Sequence, residues 1–186
     1  VIKQGSILFE GRNLLVLRKD EMNDLRGRAI AMIFQDPSTA LNPVFTIGAQ
    51  MERVARQHLK LDAKAARRRS AEMLAAVGLP DPEWILGSYP HHLSGGMKQR
   101  AMIAMALLCQ PSLIVADEPT TALDVSIQAQ IIALLKRTAK QHGAAVMLVT
   151  HDMGVIAEAS DRVAVMYAGR VVEIGPVQQV IHQPAH

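Results

Sequence analysis

Two adjacent carboxylates, Asp117 and Glu118, close an apolar run, Leu-Ile-Val-Ala, over residues 113–116. A short apolar run ending in acids is how a buried strand delivers carboxylates to the carboxyl edge of a sheet, where they can hold a metal and activate water. Upstream, Leu93-Ser94-Gly95-Gly96 is a small-residue turn that opens a helical pattern running through 101–108. Such a helix start presents unpaired backbone N–H groups together with the positive end of the helix dipole, which makes it a ready anion site. Two more polar residues close apolar runs in the same way: Gln35 after 29–34, and His151, followed by Asp152, after 145–150.

The elements that must carry these residues alternate in type. Residues 6–9 and 14–17 are short apolar stretches that predict two strands with Glu10-Gly11-Arg12-Asn13 as the turn between them. Polar residues 18–28 predict a short helix leading into the buried strand 29–34, and 36–43 predict a proline-bounded loop. Thr46 is the expected N-cap of a helix over 46–61, with Ile47, Met51, Val54 and Leu59 on its apolar face. Asp62 precedes a second helical period over 63–77, which Gly78 stops, and 82–86 form a third short segment. Beyond the carboxylates, 125–141 predict a helix with Ile127, Ile131, Leu134 and Leu135 on one face and Gly143 as its stop. A buried strand is predicted over 145–150, a hairpin over 162–174 turning at Ala168-Gly169-Arg170, and a short helix over 176–182.

Length and composition narrow the class. A chain of 186 residues is large enough for one domain with a substantial core, and 49% hydrophobic with 20% charged residues is globular composition. Aromatic residues make up only 3%, too few for a base-stacking surface, whereas the 10 methionines make the core aliphatic and adaptable. The net charge of +3 is spread over helix faces rather than gathered in a block, which argues against a nucleic-acid footprint. Cys109 is the single cysteine, so no internal disulfide can form, and its place at the end of an apolar helix predicts a buried thiol in a reducing compartment. No apolar run reaches the length of a membrane span, so membrane attachment would go through a partner. His182 and His186 are separated by Pro184, and His91 and His92, being adjacent, are expected to point apart; neither pair is read as a metal site.

Leu-Ser-Gly-Gly, the apolar run with Asp-Glu, and Thr-Ala-Leu-Asp at 121–124 resemble the signature, Walker B and D-loop motifs of ABC-type ATPases, in that family's order. Each motif alone is short and common; their order, with strand and helix context between them, carries the resemblance. It implies an α/β fold of the P-loop NTPase type, with a mainly parallel core sheet and an inserted helical subdomain. It divides the chain into a sheet portion at 1–35, a helical subdomain with the signature at 36–108, and a Walker B, D-loop and switch-histidine portion at 109–186. The P-loop itself, Gly-x-x-x-x-Gly-Lys-Ser/Thr, does not occur in the 186 residues. The expectation is therefore an amino-terminal truncation rather than a degenerate ATPase, inactive alone, with a further segment beyond His186.

By the same resemblance, Glu118 polarises the attacking water and Asp117 holds magnesium through its water shell. Gln35, in the Q-loop position, coordinates that ion through its amide oxygen, and His151, in the position of the switch histidine, contacts the γ-phosphate. Ser94, Gly95 and Gly96 would bind the γ-phosphate of ATP held by a second nucleotide-binding domain, and Asp124 belongs to the D-loop part of the nucleotide site. The wording Asp36-Pro37-Ser38-Thr39-Ala40-Leu41-Asn42-Pro43, and Met97 where Gln is usual, are similar to the peptide, nickel and glutathione importer branch. That branch implies ATP and magnesium as ligands, a homo- or heterodimer of ATPase domains, transmembrane permease subunits, an extracytoplasmic solute-binding protein acting indirectly, and a peripheral position on the cytoplasmic face of the inner membrane. Two other readings stay open. An ABC ATPase working on nucleic acid or ribosomes would need a long coiled-coil insertion or basic arms after Gln35, where this chain has a compact insertion. A non-catalytic module fits the missing P-loop.

Overall fold

The computed structural model describes residues 5–120 and 125–186. Its centre is a three-stranded parallel sheet in the order β3 (Ile30–Ile33), β4 (Leu113–Asp117), β5 (Ala145–Val149). Ala31 pairs with Ile114, which in turn pairs with Val146, and Ile33 pairs with Ala116, which pairs with Leu148, so these residues share one face. Ahead of the sheet come the two-residue strands β1 (Leu8–Phe9) and β2 (Arg12–Asn13) and the helix α1 (Lys19–Leu25). Residues 14–17, read from sequence as a strand, instead start a 3-10 turn over Leu14–Val16. Glu10 and Gly11 both take positive φ (48° and 76°), which closes the hairpin in two residues. Asn13 is then free to cap that turn, its side chain accepting from Leu15 N.

Between β3 and β4 the chain is helical. The proline-bounded loop holds one helical turn, α2 (Pro37–Ala40), because Asp36 accepts from Ser38 N and Pro37 sits where no N–H is needed. α3 (Ile47–Leu59) starts at the expected cap, Thr46 accepting from Ala49 N, and α4 (Ala63–Ala76) starts after Asp62, which accepts from Ala65 N. α5 (Pro82–Gly87) follows, and then α6 (Gly95–Leu107). Past its first turn α6 is buried almost all round, which is why its sequence lacks a polar stripe: it packs on β3 on one side and on α3 and α4 on the other. Ile103, Leu107, Met51, Leu74, Ile33 and Ile114 join one buried apolar cluster spanning sheet and helices. Truncating a side chain such as Ile103 to alanine costs about 2–5 kcal/mol by lost burial and the cavity left behind.

α7 (Val125–His142) ends at Gly143, whose φ of +65° lets the chain reverse into β5. Ile131, Leu134 and Leu135 of α7 are buried, as their spacing predicts. Next comes α8 (Met153–Ala159), a helix not anticipated from sequence; Asp152 caps it by accepting from the N–H groups of Gly154 and Val155. The hairpin of β6 (Arg162–Tyr167) and β7 (Arg170–Pro176) and the helix α9 (Val177–His182) complete the described chain.

Two further expectations need correcting. Strand β5 is not buried: Val146, Met147 and Val149 are exposed, and so is Met32 of β3. β5 is an edge of the sheet, and Met32, Val115 and Met147 lie on the face opposite Ala31 and Ile114, the face that α6 covers. Adjacent His91 and His92 do not point apart either. The 3-10 turn Pro90–His92 brings their rings to 4.4 Å between centroids, with Tyr89 stacked on His91 at 5.5 Å.

Candidate functional site at the carboxyl edge of the sheet

The parallel register carries the ends of β3, β4 and β5 to one edge, and three side chains converge there. Glu118 follows β4 directly; its N–H donates to the Val149 carbonyl at 2.8 Å, and its φ is +43°. A non-glycine residue in that region carries strain of order 1–3 kcal/mol, and such strain persists where surrounding contacts over-determine the conformation. Here the contacts are on the carboxylate. Gln35, just beyond β3, donates from Nε2 to Glu118 Oε2 at 2.8 Å. His151, just beyond β5, places Nδ1 2.9 Å from Glu118 Oε1. An ionised carboxylate only accepts, so this geometry assigns the proton of a neutral His151 to Nδ1 and leaves Nε2 as an acceptor for a second group. Asp117 ends β4 half-buried beside Val149.

Gln35, Glu118 and His151 are thus brought together from residues far apart in sequence. Ser94, Gly95 and Gly96 stand elsewhere, at the start of α6, where Ser94 caps the helix by accepting from Met97 N at 3.4 Å. Gly95 does not need to be glycine for the fold. Its φ is not positive, and among the described residues a Cβ built on it would meet nothing within 4 Å. Asp124 lies outside the described residues.

Several residues that organise the site escaped sequence reasoning. Asp152 accepts from Gln128 Nε2 at 2.7 Å, which ties α7 to the segment bearing His151. That bond, then the bonds from Val155 and Gly154, hold the Asp152 carboxyl below the usual aspartate range. Arg100 donates to the Val77 carbonyl at 2.7 Å and to Gln130 Oε1 at 2.9 Å, bridging the end of α4 to α7. Gln99, buried within α6, donates to the Pro119 carbonyl. Its sequence signal is a polar residue on the helical face shared with Met102, Ile103 and Ala106. Gln50 clamps the turn after α2: its Oε1 accepts from Asn42 N at 2.9 Å, and its Nε2 donates to the carbonyls of Asn42 and Phe45 at 3.0 Å each.

A family model described as ABC transporter matches residues 2–121. The chain belongs to this ABC transporter family. Among its relatives, the dipeptide transport ATP-binding protein DppD of Bacillus subtilis is 51% identical over 185 residues, covering 100% of this chain and 55% of that protein. The oligopeptide transport ATP-binding protein OppD of the same organism is 50% identical, covering 99% and 51%. OppD of Haemophilus influenzae is 49% identical, covering 98% and 57%. The chain therefore spans about half the length of the curated relatives it matches. The ABC cassette fold is borne out by solved structures. The ATP-binding cassette MJ0796, a dimer bound to ADP and Pi, superposes with a TM-score of 0.82 at 29% identity over 94% of this chain and 74% of that one. CbiO1 from Clostridium perfringens, part of the ABC transporter complex cbiONQ, gives 0.82 at 29% over 97% and 69%.

Proposed function

We propose that this chain is part of the ATP-hydrolysing subunit of an ABC importer that powers uptake of peptides or similar small solutes. The observation that carries the reading is the convergence of Gln35 and His151 on Glu118 at the sheet edge. Relatives named as dipeptide and oligopeptide transport ATP-binding proteins support the choice of solute class.

In this reading Glu118 orients and polarises the water that attacks the γ-phosphate of ATP, and accepts its proton as the new P–O bond forms and the bond to the leaving ADP oxygen breaks. His151, held through Nδ1 by Glu118, contacts the γ-phosphate through Nε2. Gln35, with Nε2 on Glu118, keeps Oε1 for a cation. The residues fit magnesium as a hard ion shared with substrate rather than caged by protein. The donors offered are the carboxylate of Asp117, through water, and the amide oxygen of Gln35, and among the described residues no group of three or more His, Cys, Asp or Glu could hold a metal. When bound, the ion neutralises charge that develops on the phosphate oxygens.

Ser94, Gly95 and Gly96 serve ATP held by a second ATPase domain, homologous or identical, and Asp124 adds to the nucleotide site. The open space at Gly95 supports this assignment, because the fold alone gives no reason for a missing side chain there. Among the described residues no helix is long and apolar enough to cross a membrane. In this reading the subunit lies on the cytoplasmic face of the inner membrane, held by permease subunits that receive solute from an extracytoplasmic binding protein. Val44 and Phe45, exposed beside the Gln50 clamp, offer an apolar docking point for the permease.

The test is ATP turnover by the chain extended to the length of its relatives and reconstituted with its permease. Turnover should rise when the binding protein is loaded with peptide, and a cysteine at Thr39 or Asn42 should crosslink to the permease. Peptide-independent turnover, or crosslinks confined to cysteines on β7, would overturn the importer reading.

A further inference from the structure

Gln99 is 1% exposed, in a helix whose other buried residues are apolar. Its neighbours on the same face, Met102, Ile103 and Ala106, are all buried. A methionine or leucine would fill the same volume, so packing does not explain an amide there. What the amide does is donate from Nε2 to the carbonyl of Pro119, itself buried, in the residue that follows Glu118. Pro119 has no N–H, and its carbonyl lies where water does not reach, so the Gln99 amide satisfies an acceptor that would otherwise be stranded.

The loop around Glu118 is consequently held at three places. Its backbone N–H is tied to Val149, its carboxylate to Gln35 and His151, and the residue after it to α6 through Gln99. The first two sets of bonds come from the sheet edge. Gln99 alone among these partners sits on the helix that Ser94 opens, little more than a turn from Ser94. We propose that Gln99 is a positioning residue for Glu118: it sets the carboxylate's placement by fixing the Pro119 carbonyl to the signature helix. This rests on Glu118 being the residue that polarises water. Without the donor, the left-handed turn at Glu118 loses its downstream anchor and relaxes, which displaces the carboxylate while leaving the nucleotide contacts in place.

The experiment compares wild type, Gln99→Met, Gln99→Glu and Glu118→Gln in the chain extended to the length of its relatives, measuring kcat and KM for ATP and thermal stability. Gln99→Met keeps shape and removes the donor. A misplacement of the order of an ångström costs about 10²-fold in rate, so kcat should fall on that scale with KM nearly unchanged. Gln99→Glu regains a donor only as the neutral acid, so its kcat should decline with rising pH relative to wild type. This second variant tests the idea even if the first folds poorly. Wild-type kcat in Gln99→Met, a loss shared equally by KM, or a Gln99→Glu pH profile parallel to wild type would each overturn the proposal. Undiminished turnover in Glu118→Gln would instead remove the reading on which it rests.

Discussion

His151 Nδ1 and Glu118 Oε1 stand 2.9 Å apart, across the ends of two neighbouring parallel strands. His151 is largely exposed and Glu118 is not, so the pair is an exposed ring docked on a shielded carboxylate. With Gln35 on the other oxygen, both oxygens of Glu118 have an oriented partner, and an incoming water must share that carboxylate with them.

Glu118→Gln should preserve this outline while removing the charge. In the chain extended to the length of its relatives, ATP binding should persist and kcat should fall by about 10²–10⁴-fold, the range for losing a general base. Isothermal binding and steady-state turnover check the two halves. Near-normal hydrolysis would take Glu118 out of the catalytic role.

Gly95→Asp isolates the role proposed for the start of α6. Among the described residues nothing outside the adjoining helix backbone lies within 4 Å of the Cβ position, and an acid in the first turn suits the helix dipole, so in the chain extended to the length of its relatives the monomer should fold and bind ATP as the parent does. A carboxylate there would repel a γ-phosphate presented by a second domain, by roughly a few kcal/mol when partly desolvated, enough to suppress closure strongly. Sedimentation with ATP in a Glu118→Gln background reads this out. An ATP-dependent dimer as abundant as in the parent would leave the turn a purely structural bend.

Gly48→Ala probes packing remote from the chemistry. A Cβ at Gly48 of α3 would lie 2.6 Å from the Leu86 carbonyl oxygen of α5, a backbone atom that cannot swing aside. The gain in helix propensity is about 1 kcal/mol, and overpacking costs typically 1–3 kcal/mol. Net destabilisation in urea melts is expected; a stabilised variant would show that α3 and α5 can separate freely.

Asp152 predicts a pH dependence. Its folded carboxyl is held below the ordinary aspartate value by Gln128 and by the N–H groups it caps. Its stabilising contribution is therefore complete above the unfolded value, about 3.9, and is lost as pH falls through the lower folded value. Asp152→Asn should flatten that acid limb in Tm measured against pH. Superimposable profiles would mean that the Gln128 bond does not persist in solution.

The sequence by itself determined what depends on neighbours along the chain. Thr46, Asp62 and Ser94 cap helices because a side-chain oxygen reaches an N–H three residues on, and Gly143 stops one because left-handed backbone suits glycine. The motifs at Gln35, Glu118 and His151 were legible for the same reason: each closes an apolar run, and a strand's end can be read from its own residues. What those ends do to one another was not legible. Gln35 and Glu118 meet only because β3 pairs with β4 across the whole helical insertion, and no local signal encodes that register. Gly48 reads in sequence as a weak point in a helix, and only the approach of Leu86 shows why it lacks a side chain. Gln99 reads as an ordinary polar residue until folding buries it against Pro119. The exposure of Met147 on an apolar edge strand, and the contact of His91 with His92, depend likewise on which faces tertiary packing covers and how a 3-10 turn aims two rings. Hydrogen bonds within a few residues are encoded locally, whereas those that span the fold exist only once loop closure has brought their partners together.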